Sequence, residues 1–195
     1  MTPPCDRFVP GYGDVDADVH VVGDYPGRHG GAKTGVPFTG TSAGRKVQEV
    51  FELLGLLSNP GDEPTLDDLY VSYLHPCDAP NPPTERSYLE QEPFFDAEIR
   101  AITAHVLVPV GDRPVEHVLK EFTTYPPNDR STDAVHATEI SGGAWLVVPA
   151  AEPAEWTDEE AESLLETLKR VLARDYRRES DLSRFLADSD PYLVR

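Results

Sequence analysis

Between Val21 and Gly40 the chain reads VVGDYPGRHGGAKTGVPFTG, an apolar run that breaks into a loop rich in glycine and proline. Val19, Val21 and Val22 follow the acidic stretch Asp14-Val15-Asp16-Ala17-Asp18 and are stopped by Gly23. A short apolar run ended in this way predicts a buried parallel strand, which delivers the next residue, Asp24, to the carboxyl edge of its sheet. Gly27, Gly30, Gly31 and Gly35 let the backbone turn and approach a ligand closely, while Pro26 and Pro37 stiffen the two ends of the loop. Phe38 supplies an aromatic platform. Together these residues predict a pocket at a sheet edge.

The remaining pattern alternates strands with helices. Val47, Val50, Phe51 and Leu54 recur at helical spacing behind a cap at Thr41 or Ser42, and Leu69 to Leu74 reads as a second strand ending at His75-Pro76-Cys77. Thr84 caps a helix whose buried face is Phe95, Ile99 and Ile102, with a kink or restart expected at Pro93. His105 to Val110 is a third strand, Val115, Val118, Leu119 and Phe122 mark a short helix, and 123–132 is a polar loop. Residues 135–140 read as an added strand or as more of that loop, and Trp145 to Pro149 as the fourth core strand. Thr157-Asp158-Glu159-Glu160 is a capping box opening a helix through Leu164, Leu165, Leu168, Val171 and Leu172. This order predicts an α/β fold, a three-layer α/β/α sandwich on a central parallel sheet of about four strands, with residues 1–195 as one domain. His20, His105 and His117 fall within or beside these elements and read as structural.

No apolar run approaches the ~20 residues that span a bilayer, and the N-terminus lacks the regions of a signal peptide, so a cytoplasmic protein with no membrane partner, and a monomer, is expected. Cys5 and Cys77 are the only cysteines. They are too few for a disulfide scaffold or an all-cysteine metal site made by one chain, and no metal is predicted.

The segment Gly27-Arg28-His29-Gly30-Gly31-Ala32-Lys33-Thr34 misses the phosphate-binding pattern GxxxxGK[ST] by one residue, Ala32. That pattern must open directly into a helix, which Gly35 and Pro37 forbid, so a nucleotide hydrolase using Lys33 and Asp112 ranks behind other readings. A fuller match is Val22-Gly23-Asp24-Tyr25-Pro26-Gly27 followed by Gly35-Val36-Pro37-Phe38-Thr39-Gly40 and Ala43-Gly44, with Val9-Pro10-Gly11-Tyr12-Gly13 upstream and Cys77, Pro80 to Pro83 and Phe94-Phe95 downstream. In these motifs the chain resembles the uracil-DNA glycosylase superfamily, particularly its family 4 branch.

The resemblance implies hydrolysis of the bond between deoxyribose and uracil, or another deaminated base, in DNA. Asp24 stands where family 4 enzymes carry glutamate, as the carboxylate that stabilises an oxocarbenium-like sugar or directs water. Phe38 is the stacking platform; Gly23, Tyr25, Pro26, Gly27 and Tyr73 complete the base site. Ser42, Arg45 and Lys46 open the helix expected to hold a DNA phosphate. The chain departs from the family at two positions. Tyr73 replaces the asparagine that reads the uracil edge, and a phenol lacks an amide's paired donor and acceptor. Glu152, in Ala150-Ala151-Glu152-Pro153-Ala154, replaces a histidine that supports the leaving base, and a glutamate there repels negative charge unless protonated. His75 and His29, then His136, are candidate substitutes, which leaves Asp24, His75 and Glu152 as the catalytic set. Related family 4 enzymes carry an iron-sulfur cluster on four cysteines, so no cluster is expected here. A non-catalytic relative that binds nucleic acid or a nucleotide in the same pocket is the alternative.

The formal charge of −18 opposes a polyanionic partner. Acidic residues spread along the chain, and arginines outnumber the four lysines Lys33, Lys46, Lys120 and Lys169. That distribution fits a halophilic protein, because the Debye length falls to about 3 Å at 1 M salt and repulsion is screened. Taken alone, the charge fits better an ordinary acidic protein that never meets nucleic acid. Arg28, Lys33, Arg45 and Lys46, gathered around the motif loop, favour the first reading.

Overall fold

A computed structural model describes residues 3–125, 132–174, 180–181 and 193–194. In chain order its elements are β1 (Tyr12–Gly13), β2 (Val19–Gly23), α1 (Pro26–His29), α2 (Ser42–Leu53), β3 (Leu57–Ser58), β4 (Thr65–Leu66), β5 (Leu69–Tyr73), α3 (Glu85–Ala101), β6 (Val106–Pro109), α4 (Asp112–Phe122), α5 (Thr132–Val135), β7 (Ile140–Ser141), β8 (Leu146–Val147) and α6 (Asp158–Ala173). Ser180–Asp181 and Leu193–Val194 pair as a separate ladder. The main sheet runs β1-β5-β2-β6-β8-β7. Its four inner strands are parallel, as the alternation of strands and helices predicts, and its two edges, β1 and β7, are antiparallel additions of two residues each. Residues 135–140 divide between the end of α5 and the start of β7. Much of the expected loop 123–132 lies outside the described residues.

The period-two alternation of side chains sorts the strands onto two faces. Val19, Val21, Val71, Val106 and Val108 meet α2 and α6 through Val47, Val50, Phe51, Leu164 and Leu168. Val22, Leu107 and Val147 meet α3 and α4 through Phe95, Ile99, Val115 and Val118. Each such side chain contributes about 1.5–3 kcal/mol by leaving water, and the result is the three-layer α/β/α sandwich. The helix α3 runs through Pro93 with no restart, and α6 opens on the complete Thr157/Glu160 capping box.

His20 lies on the inner strand β2, fully buried, its Nε2 2.8 Å from the Ser72 hydroxyl. Burial pushes its pKa down to about 3. The unfolded chain takes up this proton below about pH 6.5 and the folded chain does not, so stability is complete above that pH and is lost as pH falls from 6.5 toward 3. At pH 5, His20 alone is expected to cost about 2 kcal/mol. Urea unfolding at pH 7 and pH 5 checks this, since His20→Gln should remove that part of the acid sensitivity.

Cys5 and Cys77 form a disulfide that ties the N-terminal segment to the loop after β5. Backbone bonds run beside it, from Val9 N–H to Pro76 O (2.9 Å) and from Asp78 N–H to Arg7 O (3.0 Å). The sequence alone left the role of these cysteines open; their role is this staple.

Candidate active site

The register of the parallel strands brings their carboxyl ends to one rim. Gly23 pairs with Tyr73 and Val22 with Pro109. Beyond the ladder, His75 N–H donates to Asp24 O (3.0 Å), Val110 N–H to Val22 O, and Gly111 N–H to Ala150 O. Asp24, His75, Gly111 and Glu152 therefore leave neighbouring strands at the same edge.

Between them sits the motif loop. Tyr25 caps the single turn α1, and Gly30 and Gly31 reverse the chain at φ 104° and 91°. Phe38 adopts φ 59°, rare for a bulky side chain. Its backbone is clamped at both ends: the N–H donates to the Tyr73 hydroxyl (2.8 Å), and the carbonyl accepts from Gln48 Nε2 (2.8 Å). The first turn of α2, capped by Thr41, packs directly onto this loop. A Cβ added at Gly44 would stand 2.4 Å from Phe38 O and 2.9 Å from His29 O. Gly44→Ala is therefore expected to destabilise the fold by about 1–3 kcal/mol through overpacking, measured as a drop in the urea midpoint.

Asp24 is buried, 3% exposed. Its Oδ1 accepts from the Tyr88 hydroxyl (2.5 Å) and its Oδ2 lies 3.7 Å from Arg28. Burial and the bond to Asp24 raise the Tyr88 phenol well above its usual range, so it remains a donor. Arg113 lies over the Tyr88 ring, 4.0 Å from its centre, and pairs with Glu85. Arg28 turns its Nε to Glu152 Oε2 (2.5 Å), and His29 Nε2 lies 3.4 Å from the same carboxylate. Burial opposes ionisation of Glu152, but the hydrogen bonds from His29 and Arg28 and the charge of Arg28 outweigh it and hold the carboxyl below the usual carboxylate range. The repulsion expected from a glutamate at this place is thus neutralised locally. His29 closes the ring of contacts: Asp24 N–H donates to its Nδ1 (3.1 Å), which needs a lone pair there and puts the ring proton on Nε2, toward Glu152.

Several candidates occupy different places from those expected. Tyr73 does not face a ligand: it is buried under Gly23 and Phe38, and its hydroxyl, besides accepting from Phe38, donates to Gly30 O (2.9 Å), so it braces the loop from within. Phe38 is 2% exposed, its ring covered by His29. His75 stands behind Tyr88, bonded to Ser87 Oγ (2.6 Å), with burial pushing its pKa down against the opposing charge of Asp24. His136 accepts from Ala151 N–H and packs on Trp156, holding the Glu152 loop. Pro26 is buried, and Gly27 lies against the half-buried Tyr25 ring. Ser42 and Arg45 are exposed on the first turns of α2, whereas Lys46 donates to Trp156 O (2.8 Å) and ties α2 to the loop before α6. Tyr88 and Arg113 were not anticipated. For Tyr88 a signal existed, since it extends the buried stripe of Ile102, Ile99 and Phe95 backward at helical spacing.

The donor set does not fit an iron-sulfur cluster on four cysteines, since both cysteines of the chain are bonded to each other. Among the described residues no group of three or more His, Cys, Asp or Glu is placed to hold a metal ion.

The chain as a whole is similar in sequence to known proteins. A type-5 uracil-DNA glycosylase of Pyrobaculum aerophilum is 29% identical over 175 residues, 86% of this chain and 75% of the relative. A type-5 uracil-DNA glycosylase of Thermus thermophilus is 32% identical over 122 residues, 60% of this chain and 56% of the relative. A type-4 uracil-DNA glycosylase of Saccharolobus solfataricus is 24% identical over 173 residues, 87% of this chain and 73% of the relative. The sequence model described as the Uracil DNA glycosylase superfamily matches residues 10–172, most of the chain. The chain belongs to the uracil-DNA glycosylase superfamily.

Proposed function

We propose that the protein hydrolyses the N-glycosidic bond of uracil or another deaminated base in DNA, with Asp24 as its essential carboxylate. The observation that carries this reading is the setting of Asp24: a buried carboxylate at the rim where four parallel strands end, oriented by Tyr88 and Arg28, one residue from the stretch leading to Phe38. In the reaction the C1′–N bond breaks with its electron pair going to the base, and positive charge grows on the sugar. The Asp24 carboxylate stabilises that charge and takes a proton from the water whose oxygen bonds to C1′. Arg28 balances the charge of Glu152, so that the base departs as an anion past a neutralised group.

The test is incubation with a uracil-containing oligonucleotide at molar salt, where the acidic surface is screened, followed by alkaline cleavage at abasic sites. Strand breaks at uracil support the reading, and an intact strand overturns it.

A second reading, a binding protein without catalysis, is favoured by Tyr73, whose hydroxyl is spent on Gly30 and Phe38 and leaves the family's edge-reading position without a free polar group. That protein would shift the oligonucleotide and leave it uncut.

A further inference from the structure

We propose that His29 is a built-in plug of the base slot, a planar ring seated on Phe38 that an incoming base must displace. The inference rests on the reading of Phe38 as the stacking platform. The two rings are nearly parallel, 17° apart with centroids 5.6 Å apart, which is stacking geometry for aromatic pairs. His29 is fully buried, and its partners on both nitrogens belong to the site: the Asp24 N–H on one side and the Glu152 carboxylate on the other. The slot is therefore occupied by a flat heterocycle of the chain's own, with its ring atoms engaged in hydrogen bonds as a bound base's would be.

The parts that hold the two rings differ in firmness. Phe38 is fixed through its backbone by Tyr73 and Gln48. The His29 ring is held by one backbone hydrogen bond, from the Asp24 N–H at 3.1 Å, and its Nε2 is 3.4 Å from Glu152, beyond the usual range for a strong hydrogen bond. Glu152 is itself committed first to Arg28, at 2.5 Å, and the Arg28 side chain is 38% exposed. Gly30 and Gly31 follow directly with positive φ, so the chain beside His29 turns at residues without a side chain. Gly111 packs closely against both groups: a Cβ there would stand 3.1 Å from Glu152 Oε2 and 3.4 Å from the His29 ring, so the rim beside the plug admits no side chain. Displacement of the plug thus needs a side-chain swing that frees Nε2 from Glu152, its latch, while the Arg28–Glu152 pair and Phe38 remain in place.

The experiment measures binding of free uracil by titration calorimetry to the wild type, His29→Ala, Glu152→Gln and the double variant His29→Ala/Phe38→Ala, each first checked for a cooperative thermal melt. His29→Ala is expected to bind uracil at least about tenfold more tightly than the wild type, because no ring has to be expelled before the base stacks on the aromatic face. The gain should disappear in the double variant, and Glu152→Gln, which loosens the latch without opening a cavity, should show a smaller gain in the same direction. If His29→Ala does not fold, the Glu152→Gln gain decides. Unchanged or weaker affinity overturns the plug, as does a gain that Phe38→Ala leaves intact. Abasic-site formation by the wild type is scored separately, so a chain that cuts uracil while His29→Ala gains nothing refutes the plug and leaves the glycosylase reading standing.

Discussion

Replacing Asp24 with asparagine is expected to slow base excision by a factor of about 10²–10³, equivalent to about 2.7–4 kcal/mol of lost transition-state stabilisation. The substitution keeps the shape of the side chain and leaves an oxygen to accept from Tyr88, so the rim should stay assembled. What is removed is the negative charge facing the growing positive charge on the sugar, together with the acceptor for the water's proton. Binding of the uracil-containing strand should be retained within about threefold, because the positive charge that the carboxylate faces is absent from the bound ground state and grows only in the transition state. Single-turnover kinetics at molar salt read both quantities. Excision by Asp24→Asn within a few-fold of the wild type would remove Asp24 from the chemistry.

Opening the Cys5–Cys77 disulfide is expected to cost about 4 kcal/mol. The bond joins residues 72 apart in sequence, and a closed loop of that size removes chain entropy from the unfolded state worth about that amount. For a chain of this length, 1 kcal/mol moves the melting temperature by about 2–4 °C, so reductant or Cys5→Ala should lower it by about 8–16 °C. Thermal melts with and without reductant decide it, and a shift under 2 °C would mean that the backbone bonds from Val9 and Asp78 hold the segment by themselves. The loop being stapled also carries His75, whose N–H holds the Asp24 carbonyl, so excision is expected to fall with the melt. Disulfides persist mainly in oxidising surroundings. The bond therefore sits uneasily with the cytoplasmic location expected from the N-terminus, and titrating free thiols in freshly extracted protein would measure its natural state.

The sequence carried the architecture because strand and helix periodicities are local. Val19 to Gly23, the stripe of α2 and the Thr157 capping box each declare themselves within a few residues, and the structure keeps all three. The rim was legible only where one motif holds its own geometry, as with Asp24 and the turn around Gly30. Pairings across long separations were not. The ion pair of Arg28 with Glu152 spans 124 residues, and the bond of Tyr88 to Asp24 spans 64. Neither leaves a trace in spacing, since which strand ends lie side by side is fixed by the order of strands in the sheet. Tyr73 was misassigned for a related reason. Alternation predicts that a strand residue points to one face, but not that a hydroxyl at its tip will reach the backbone of a loop 35 and 43 residues away. The disulfide escaped because two cysteines so far apart can be judged only once the N-terminal segment is seen lying against the loop after β5.

The sheet's outermost strands have a consequence for how this molecule behaves in a crowded, salty solution. Once salt has screened the −18 charge that would keep copies apart, the remaining hazard is one molecule's exposed strand recruiting another's by backbone pairing. Both flanks offer only two residues for such recruitment, and on the β7 side Gly142 is already bridged by Thr123. Flanks this short give a shared ribbon little backbone on which to nucleate, whether or not charge repulsion is screened.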